Sequence, residues 1–195
     1  MAKISIVIPT LPENYERLNK CINSLAYNKV SDFELEWCIV ANNWDGFERP
    51  VNKGLKIATG EFILICNDDV FATEKGWDVW MFKGFKESTK TGMVNGTGYE
   101  WRNLPSYWFV MMTRECYEKV GGLDEEFFVF SSDHDHAMRI LKAGFEIKHL
   151  VGGCYGIRHQ QCSTTRSEKF RERIGDEQEL IEQNKKLFEK KWGFR

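Results

Sequence analysis

The chain has 195 residues, 42% of them hydrophobic and 29% charged, which is enough for one domain with a full core. Its 27 basic and 29 acidic residues leave a formal net charge of −2, which argues against a general nucleic-acid or membrane surface, since either would carry a basic excess. No apolar run approaches the roughly 20 residues that span a bilayer, and the opening MAKISIVIPT lacks the length and cleavage site of a signal peptide, so no transmembrane segment and a cytoplasmic location are expected.

Ile4 to Ile8 is an apolar run closed by Pro9 and reads as a strand. Leu11, Tyr15, Leu18, Ile22 and Leu25 recur at helical spacing. Leu35 to Val40 is a second strand, followed by turn chemistry at Asn42-Asn43-Trp44-Asp45-Gly46. Val51, Leu55 and Ala58 mark a short helix with Gly60 at its stop, and Phe62 to Cys66 is a third strand. Trp77, Trp80, Met81 and Phe85 predict a helix, with Thr73 as a candidate N-cap. Alternating buried strands and helices predict a parallel sheet covered on both faces, with ligands bound beyond the carboxyl ends of its strands.

The second half is less regular. Thr91 to Trp101 is Gly-rich and reads as loop, Tyr107 to Met112 as a strand, and Arg114 to Val120 as a helix ended by Gly121-Gly122. Ser131 or Ser132 is placed to cap a helix that runs to Ala143 and stops at Gly144. Phe145 to Val151 reads as the final strand, and one charged amphipathic helix is expected beyond Ser167. The six cysteines form no C-x-x-C pair, so reduced, mostly buried thiols are expected rather than a zinc ribbon.

Three groups carry chemistry. Asn67-Asp68-Asp69 follows the third strand directly, and adjacent carboxylates repel each other unless a cation or water compensates. An oxygen-rich cluster of this kind suits Mg²⁺ or Mn²⁺, and an ordinary solvated turn would account for it as well. In Ser131-Ser132-Asp133-His134-Asp135-His136, the two histidines lie two apart on a predicted helix and point in different directions, which argues against joint zinc ligation. Asp133 sits in the first turn, where the helix dipole favours a charged carboxylate. That suits either a general base or an ordinary helix start. His159 lies on a loop after Gly152, Gly153 and Gly156, and becomes a ligand candidate if that loop folds back over Asp69.

Four stretches in order, ISIVIPT, NKGLKIATGEFILICNDDV, RECYEKVGGLDEEFF and SDHDHAMRILKAGF, resemble the family 2 glycosyltransferases of the GT-A fold. The resemblance covers roughly residues 3 to 163 and implies a single-domain, Rossmann-like α/β fold over 1–195, with a mixed, mostly parallel central sheet flanked by helices. Residues 1–90 would form the nucleotide-sugar half, 91–166 the acceptor and catalytic half, and 167–195 a C-terminal helix. By the same resemblance, Asp69 with Asp68 would hold Mn²⁺ or Mg²⁺ on the diphosphate of a nucleoside-diphosphate sugar, and His159 falls at a metal-contacting position. Pro9, Thr10, Glu13, Asn42, Asn52 and Asn67 would complete the donor site, and Tyr99 and Trp101 would line a sugar and acceptor pocket. Asp133 would be the base of an inverting transfer of one sugar to a glycan, a lipid-linked acceptor or a protein glycan.

The chain departs from that pattern in three places. Ala41 stands where the family commonly carries a base-reading Asp, with Asn42 as the candidate replacement. Asn67 occupies the first acidic position of the D-x-D-type motif, and Ser132 replaces the Glu that precedes the catalytic Asp. Two other readings compete. A nucleotidyltransferase would share the core, but the loop PTLPENYER has no glycine to cradle a triphosphate. A degenerate nucleotide- or sugar-binding module would explain Ala41 but not the retained Asp68, Asp69 and Asp133.

Overall fold

The computed structural model describes residues 2–98, 100–101, 103–160 and 168–193. In chain order the elements are β1 (Lys3–Thr10), α1 (Tyr15–Asn28), β2 (Glu34–Ala41), α2 (Glu48–Ile57), β3 (Phe62–Cys66), β4 (Val70–Ala72) and α3 (Trp77–Lys86). They continue with β5 (Thr91–Asn95), β6 (Glu100–Trp101), β7 (Leu104–Pro105), β8 (Phe109–Thr113), α4 (Arg114–Val120) and α5 (Ser132–Lys142). The last are β9 (Glu146–His149), β10 (Ile157–His159), α6 (Glu168–Ile174) and α7 (Glu177–Trp192).

Successive strand residues face opposite sides of a sheet, so a strand buried on both faces must be apolar at every position. β3 meets that condition, and β1 meets it from Ile6 to Ile8, with the buried Ser5 satisfied by the Glu36 carboxylate and the Gly60 amide. Ile4, Ile6 and Ile8, with Leu64 and Cys66, pack against Leu18, Leu25, Trp77 and Met81 of α1 and α3. Val7, Ile63 and Ile65 pack on the other face against Val51, Leu55, Cys116 and Ile140 of α2, α4 and α5. Each such side chain contributes about 1.5–3 kcal/mol when fully buried. A smaller cluster of Leu104, Phe127, Ala137 and Phe188 attaches α7 to α5.

The central sheet has the order β2-β1-β3-β8-β5-β9. The pairs β1–β2, β1–β3 and β5–β9 are parallel, and β8 runs antiparallel to both its neighbours, β3 and β5. The sheet is therefore mixed and mostly parallel, with helices on both faces. β4 and β10 form a separate antiparallel pair that places His159 opposite Val70.

Four local expectations are corrected. Residues 91–95 form a fully buried strand rather than a loop, because the glycines make room. A Cβ at Gly92 would sit 2.7 Å from Phe145, and one at Gly96 would sit 2.6 Å from the Met81 sulfur. Thr73 does not cap α3; its hydroxyl donates to the Gly156 carbonyl, and the helix starts after Gly76 in the left-handed region (φ +99°). β9 ends at His149, and the chain forms a further strand, β10. The single helix expected beyond Ser167 is two, broken at Gly175 (φ +73°), with Asp176 accepting the Gln178 and Glu179 amides as the cap of α7. Among the described residues the five cysteines are buried and free, and Cys162 lies outside them.

Gly54 marks the closest approach of α2 to the sheet: a Cβ there would lie 2.3 Å from Val7 Cγ1. Gly54→Ala gains helix propensity but overpacks this contact, so a net loss of about 1–3 kcal/mol is expected. That corresponds to a melting midpoint about 3–10 °C lower, read by thermal denaturation. A midpoint at or above that of the wild type would show that α2 moves aside freely.

Candidate active site

β3 delivers two carboxylates to the carboxyl edge of the sheet, and the fold gives them opposite surroundings. Asp68 turns inward. Its Oδ2 accepts from Thr10 Oγ1 (2.7 Å) and Asn14 Nδ2 (3.2 Å), and its Oδ1 pairs with the Arg17 guanidinium (2.8 Å). Both oxygens are thus occupied by groups from the end of β1 and the start of α1. Burial pushes the Asp68 carboxyl above its ordinary pKa; the Thr10 hydroxyl and Arg17 pull it back, and the adjacent Asp69 pushes it up again.

Asp69 is 4% exposed and meets His159 instead. Pairing of β4 with β10 brings the imidazole Nε2 to 2.9 Å from Asp69 Oδ1, and the Gln160 amide donates to the Asp69 carbonyl (2.9 Å). The Trp108 indole stacks on the His159 ring at 4.6 Å, nearly parallel, and fixes its plane. A carboxylate and an imidazole held side by side at the edge of a cleft suit a shared cation. Among the described residues no three His, Cys, Asp or Glu side chains form a closed metal cage. The pair therefore offers an open donor set, one carboxylate and one imidazole, that ligand oxygens would complete.

α5 repeats this division of labour. Asp135 is buried: its Oδ2 pairs with Arg139 (2.9 Å), and its Oδ1 accepts from Trp192 Nε1 (3.0 Å) and Lys191 (2.8 Å) of α7. Asp133, two residues earlier, is 20% exposed, and its Oδ1 accepts only its neighbour's amide, His134 N (2.8 Å), among the hydrogen bonds described for it. The turn before the helix is strained, with Val129 (φ 67°) and Ser131 (φ 68°) both left-handed. Such conformations cost about 1–3 kcal/mol each and persist where surrounding contacts impose them.

Asp69, His159 and Asp133 line one cleft of about 480 Å³, together with Pro9, Thr10, Asn42, Asn67 and Asp68. That volume suits a ligand of nucleotide size. Asn42 is shaped by its own turn, donating to the Gly46 carbonyl and accepting the Asp45 amide. Two expected donor-site residues lie elsewhere. Glu13 pairs with Lys169 and borders a smaller neighbouring hollow. Asn52 exchanges hydrogen bonds with the Leu123 backbone in both directions, fastening α2 to the turn after Gly122. Trp101 lies in β6 opposite Leu104, and Tyr99 falls outside the described residues. The sequence reading missed the aromatic lining (Trp44, Phe47, Trp108, Phe128, Phe130 and Phe170) and Arg173 of α6. The only sequence signal for these was the excess of aromatic residues.

Tyr107 also lines the cleft, and its hydroxyl meets Nδ1 of the fully buried His136 (3.0 Å), whose Nε2 lies 2.9 Å from the Gly121 carbonyl. Bonding to that carbonyl makes Nε2 the protonated nitrogen of a neutral ring that accepts from tyrosine. Burial, reinforced by the Arg139 charge, lowers the His136 pKa to about 4.

No family model and no curated protein matches the chain in sequence. Solved structures do match. The catalytic domain of Drosophila β1,4-galactosyltransferase 7, in complex with xylobiose, aligns with a TM-score of 0.65 and 14% identity over 86% of this chain and 74% of that one. The mannosyltransferase PcManGT of Pyrobaculum calidifontis, in complex with GDP-Man and Mn²⁺, aligns with a TM-score of 0.60 and 15% identity over 77% of this chain and 55% of that one. S. aureus TarS 1–349, in complex with UDP, aligns with a TM-score of 0.58 and 16% identity, covering 78% and 59%. At such identities the likeness is one of fold, and that fold is GT-A.

His136 makes stability depend on pH with a definite sign. The folded state holds the ring neutral down to about pH 4, whereas the unfolded chain protonates below about 6.5. Its contribution is therefore present above pH 6.5 and is lost as pH falls towards 4, by about 3 kcal/mol. In denaturant titrations, the stability gap between the wild type and His136→Gln should close over that range. A constant gap from pH 7 to 4 would refute the neutral buried ring.

Proposed function

We propose that the chain is a glycosyltransferase that moves one sugar from a nucleoside-diphosphate sugar to an acceptor hydroxyl, with inversion and with a divalent cation. The observation that carries this reading is the convergence of Asp69, His159 and Asp133, distant in sequence, on one cleft beyond the carboxyl ends of β1 and β3. Ligand sites occur at that edge of α/β sheets. The GT-A fold, shared with transferases solved with UDP or with GDP-Man and Mn²⁺, supports it.

In this reading Asp69 and His159 hold Mn²⁺ or Mg²⁺ against the donor diphosphate. When bound, the cation offsets the negative charge that develops on the departing nucleoside diphosphate. Asp68 serves from behind. Its bonds to Thr10, Asn14 and Arg17 fix the β1 loop and the turn at Asn67, so Asp69 cannot rotate inward to take the same donors. The apolar walls, Trp44 and Phe47 on one side and Phe128 and Phe130 on the other, keep water from competing for the donor.

Asp133 receives the proton from the acceptor hydroxyl as its oxygen forms the new bond to the anomeric carbon and the bond to the diphosphate breaks. A single displacement of this kind needs one base and leaves no covalent intermediate on the protein. Asp133 is suited to the role because it is open to the cleft, while the neighbouring Asp135 is locked to Arg139 and α7. The nucleotidyltransferase reading gains nothing from the structure: the segment after β1 is a turn built on Pro12–Asn14 rather than a glycine cradle.

A thermal-shift panel of UDP- and GDP-sugars with Mn²⁺ or Mg²⁺ should raise the melting point for the true donor, by mass action. With that donor, Asp133→Asn should lower transfer by about 10²–10⁴-fold while nucleotide affinity persists. Asp69→Asn should instead remove the cation-dependent part of nucleotide binding. Full transfer by Asp133→Asn would remove it from the mechanism.

A further inference from the structure

Glu48 is a buried carboxyl that the proposed transfer does not use. It opens α2 and is 2% exposed. Its Oε2 accepts from its own neighbour, Phe47 N (3.1 Å), and from Val129 N (3.2 Å), far along the chain. The Ser132 hydroxyl approaches the same carboxyl, but Oε1 has no fully aligned donor. Burial raises the pKa of this group, and Ser132 and the Glu48, Val129 and Phe47 amides pull it back. The packing around it is tight: a Cβ at Gly46 would lie 2.9 Å from Glu48 Oε2 and 2.9 Å from the Phe128 ring. Gly46 has φ +84°, so no other residue enters that position without strain.

Two walls of the cleft meet at this carboxyl. Asn42, Trp44, Gly46 and Phe47 belong to one, and Phe128, Val129, Phe130 and Asp133 to the other. Each wall contains non-glycine residues in the left-handed region, Trp44 in the first and Val129 and Ser131 in the second. Such residues stay where they are only if something holds them. Asn184 of α7 holds the second wall from outside through the Phe128 carbonyl (3.0 Å). Glu48 holds it from inside and ties it to the first.

We propose that Glu48 is a positioning residue that fastens the turn Phe128–Ser132 to the loop Asn42–Phe47, so that the nucleotide-facing wall and the wall carrying Asp133 keep one fixed relation. The fastening itself follows from geometry alone; its consequence for Asp133 rests on the transferase reading. A buried carboxyl suits the task better than a hydroxyl because it accepts from two backbone amides in different segments at once. Its position at the start of α2, whose body is clamped to β1 at Gly54, makes it a fixed point rather than a mobile strap.

Glu48→Ala and Glu48→Gln of the full chain test this in two independent measurements. In the unliganded protein, hydrogen exchange at residues 128–132 and 42–47 should speed up together in Glu48→Ala. It should stay near wild type in Glu48→Gln, which keeps an acceptor for the Val129 amide. In steady-state assays with the donor found by thermal shift, Glu48→Ala should lose about 10–100-fold in kcat, as expected for a base displaced by a fraction of an ångström to an ångström. Glu48→Gln should recover most of that rate. If Glu48→Ala does not fold, Glu48→Asp, one methylene short of Val129, takes its place with the same expectations. Wild-type exchange at 128–132 in a folded Glu48→Ala would overturn the fastening. A kcat within about twofold of wild type would overturn the positioning role. A wild-type protein that neither binds nor turns over any nucleotide-sugar would defeat the transferase reading instead, and the exchange measurement would still decide the fastening.

Discussion

The arrangement of the cleft depends on how the fold separates two carboxylates that are adjacent in sequence. Left to themselves, Asp68 and Asp69 repel and both seek water. The structure gives Asp68 a full set of donors from β1 and α1, chief among them Arg17, and so removes it from competition. Asp69 then has one direction left, towards His159 and the cleft. The same logic recurs at α5, where Asp135 is consumed by Arg139, Lys191 and Trp192 and Asp133 is left facing open space. In each cluster the structural carboxylate fixes the backbone that presents the other, so the site gains rigidity without spending its outward-facing groups.

This division explains why much of the fold could be read from the sequence and part of the site could not. β3 is apolar at every position, β1 nearly so between Ile4 and Ile8, and α1 and α2 carry a helical stripe, so local pattern alone identifies them. β5 was misread because Gly92 and Gly96, ordinarily loop residues, are there to admit Phe145 and Met81, a demand imposed by partners far away in the chain. The antiparallel direction of β8 has no local signature. At the site, Asp69, Asp133 and His159 stand in short stretches that the sequence singles out, and the fold brings the three to one cleft. Arg17, Trp108 and Glu48 act only across space, through contacts between separate elements, and no spacing announces them. Asn52 shows the converse: a residue in a motif-like stretch, placed at the donor, turns out to hold the Leu123 backbone.

Ser132 shows how the two kinds of information meet. In the motif that the chain resembles, its position carries a glutamate, and the sequence reads as having lost an acidic group beside Asp133. The folded chain brings one back from α2, where the Glu48 carboxyl approaches Ser132 and accepts the Val129 amide. A carboxyl supplied by another element leaves no trace in a local motif. It can also bind two segments together, which a neighbour in sequence cannot do.

The wall behind Asp133 is finished by α7. Asn184 grips the Phe128 carbonyl, Phe188 fills the space against Phe127 and Ala137, and Lys191 and Trp192 close on Asp135. β1 pairs with β2 and β3, and all three strands are complete by Cys66. Buried Asp135, by contrast, lacks two of its cationic or N–H partners until residue 192 has emerged, and an unpaired interior carboxylate is costly. A nascent chain therefore holds the strand that presents Asp68 and Asp69 long before it can neutralise Asp135, and the turn that presents Asp133 gains its backing only when translation has passed α7.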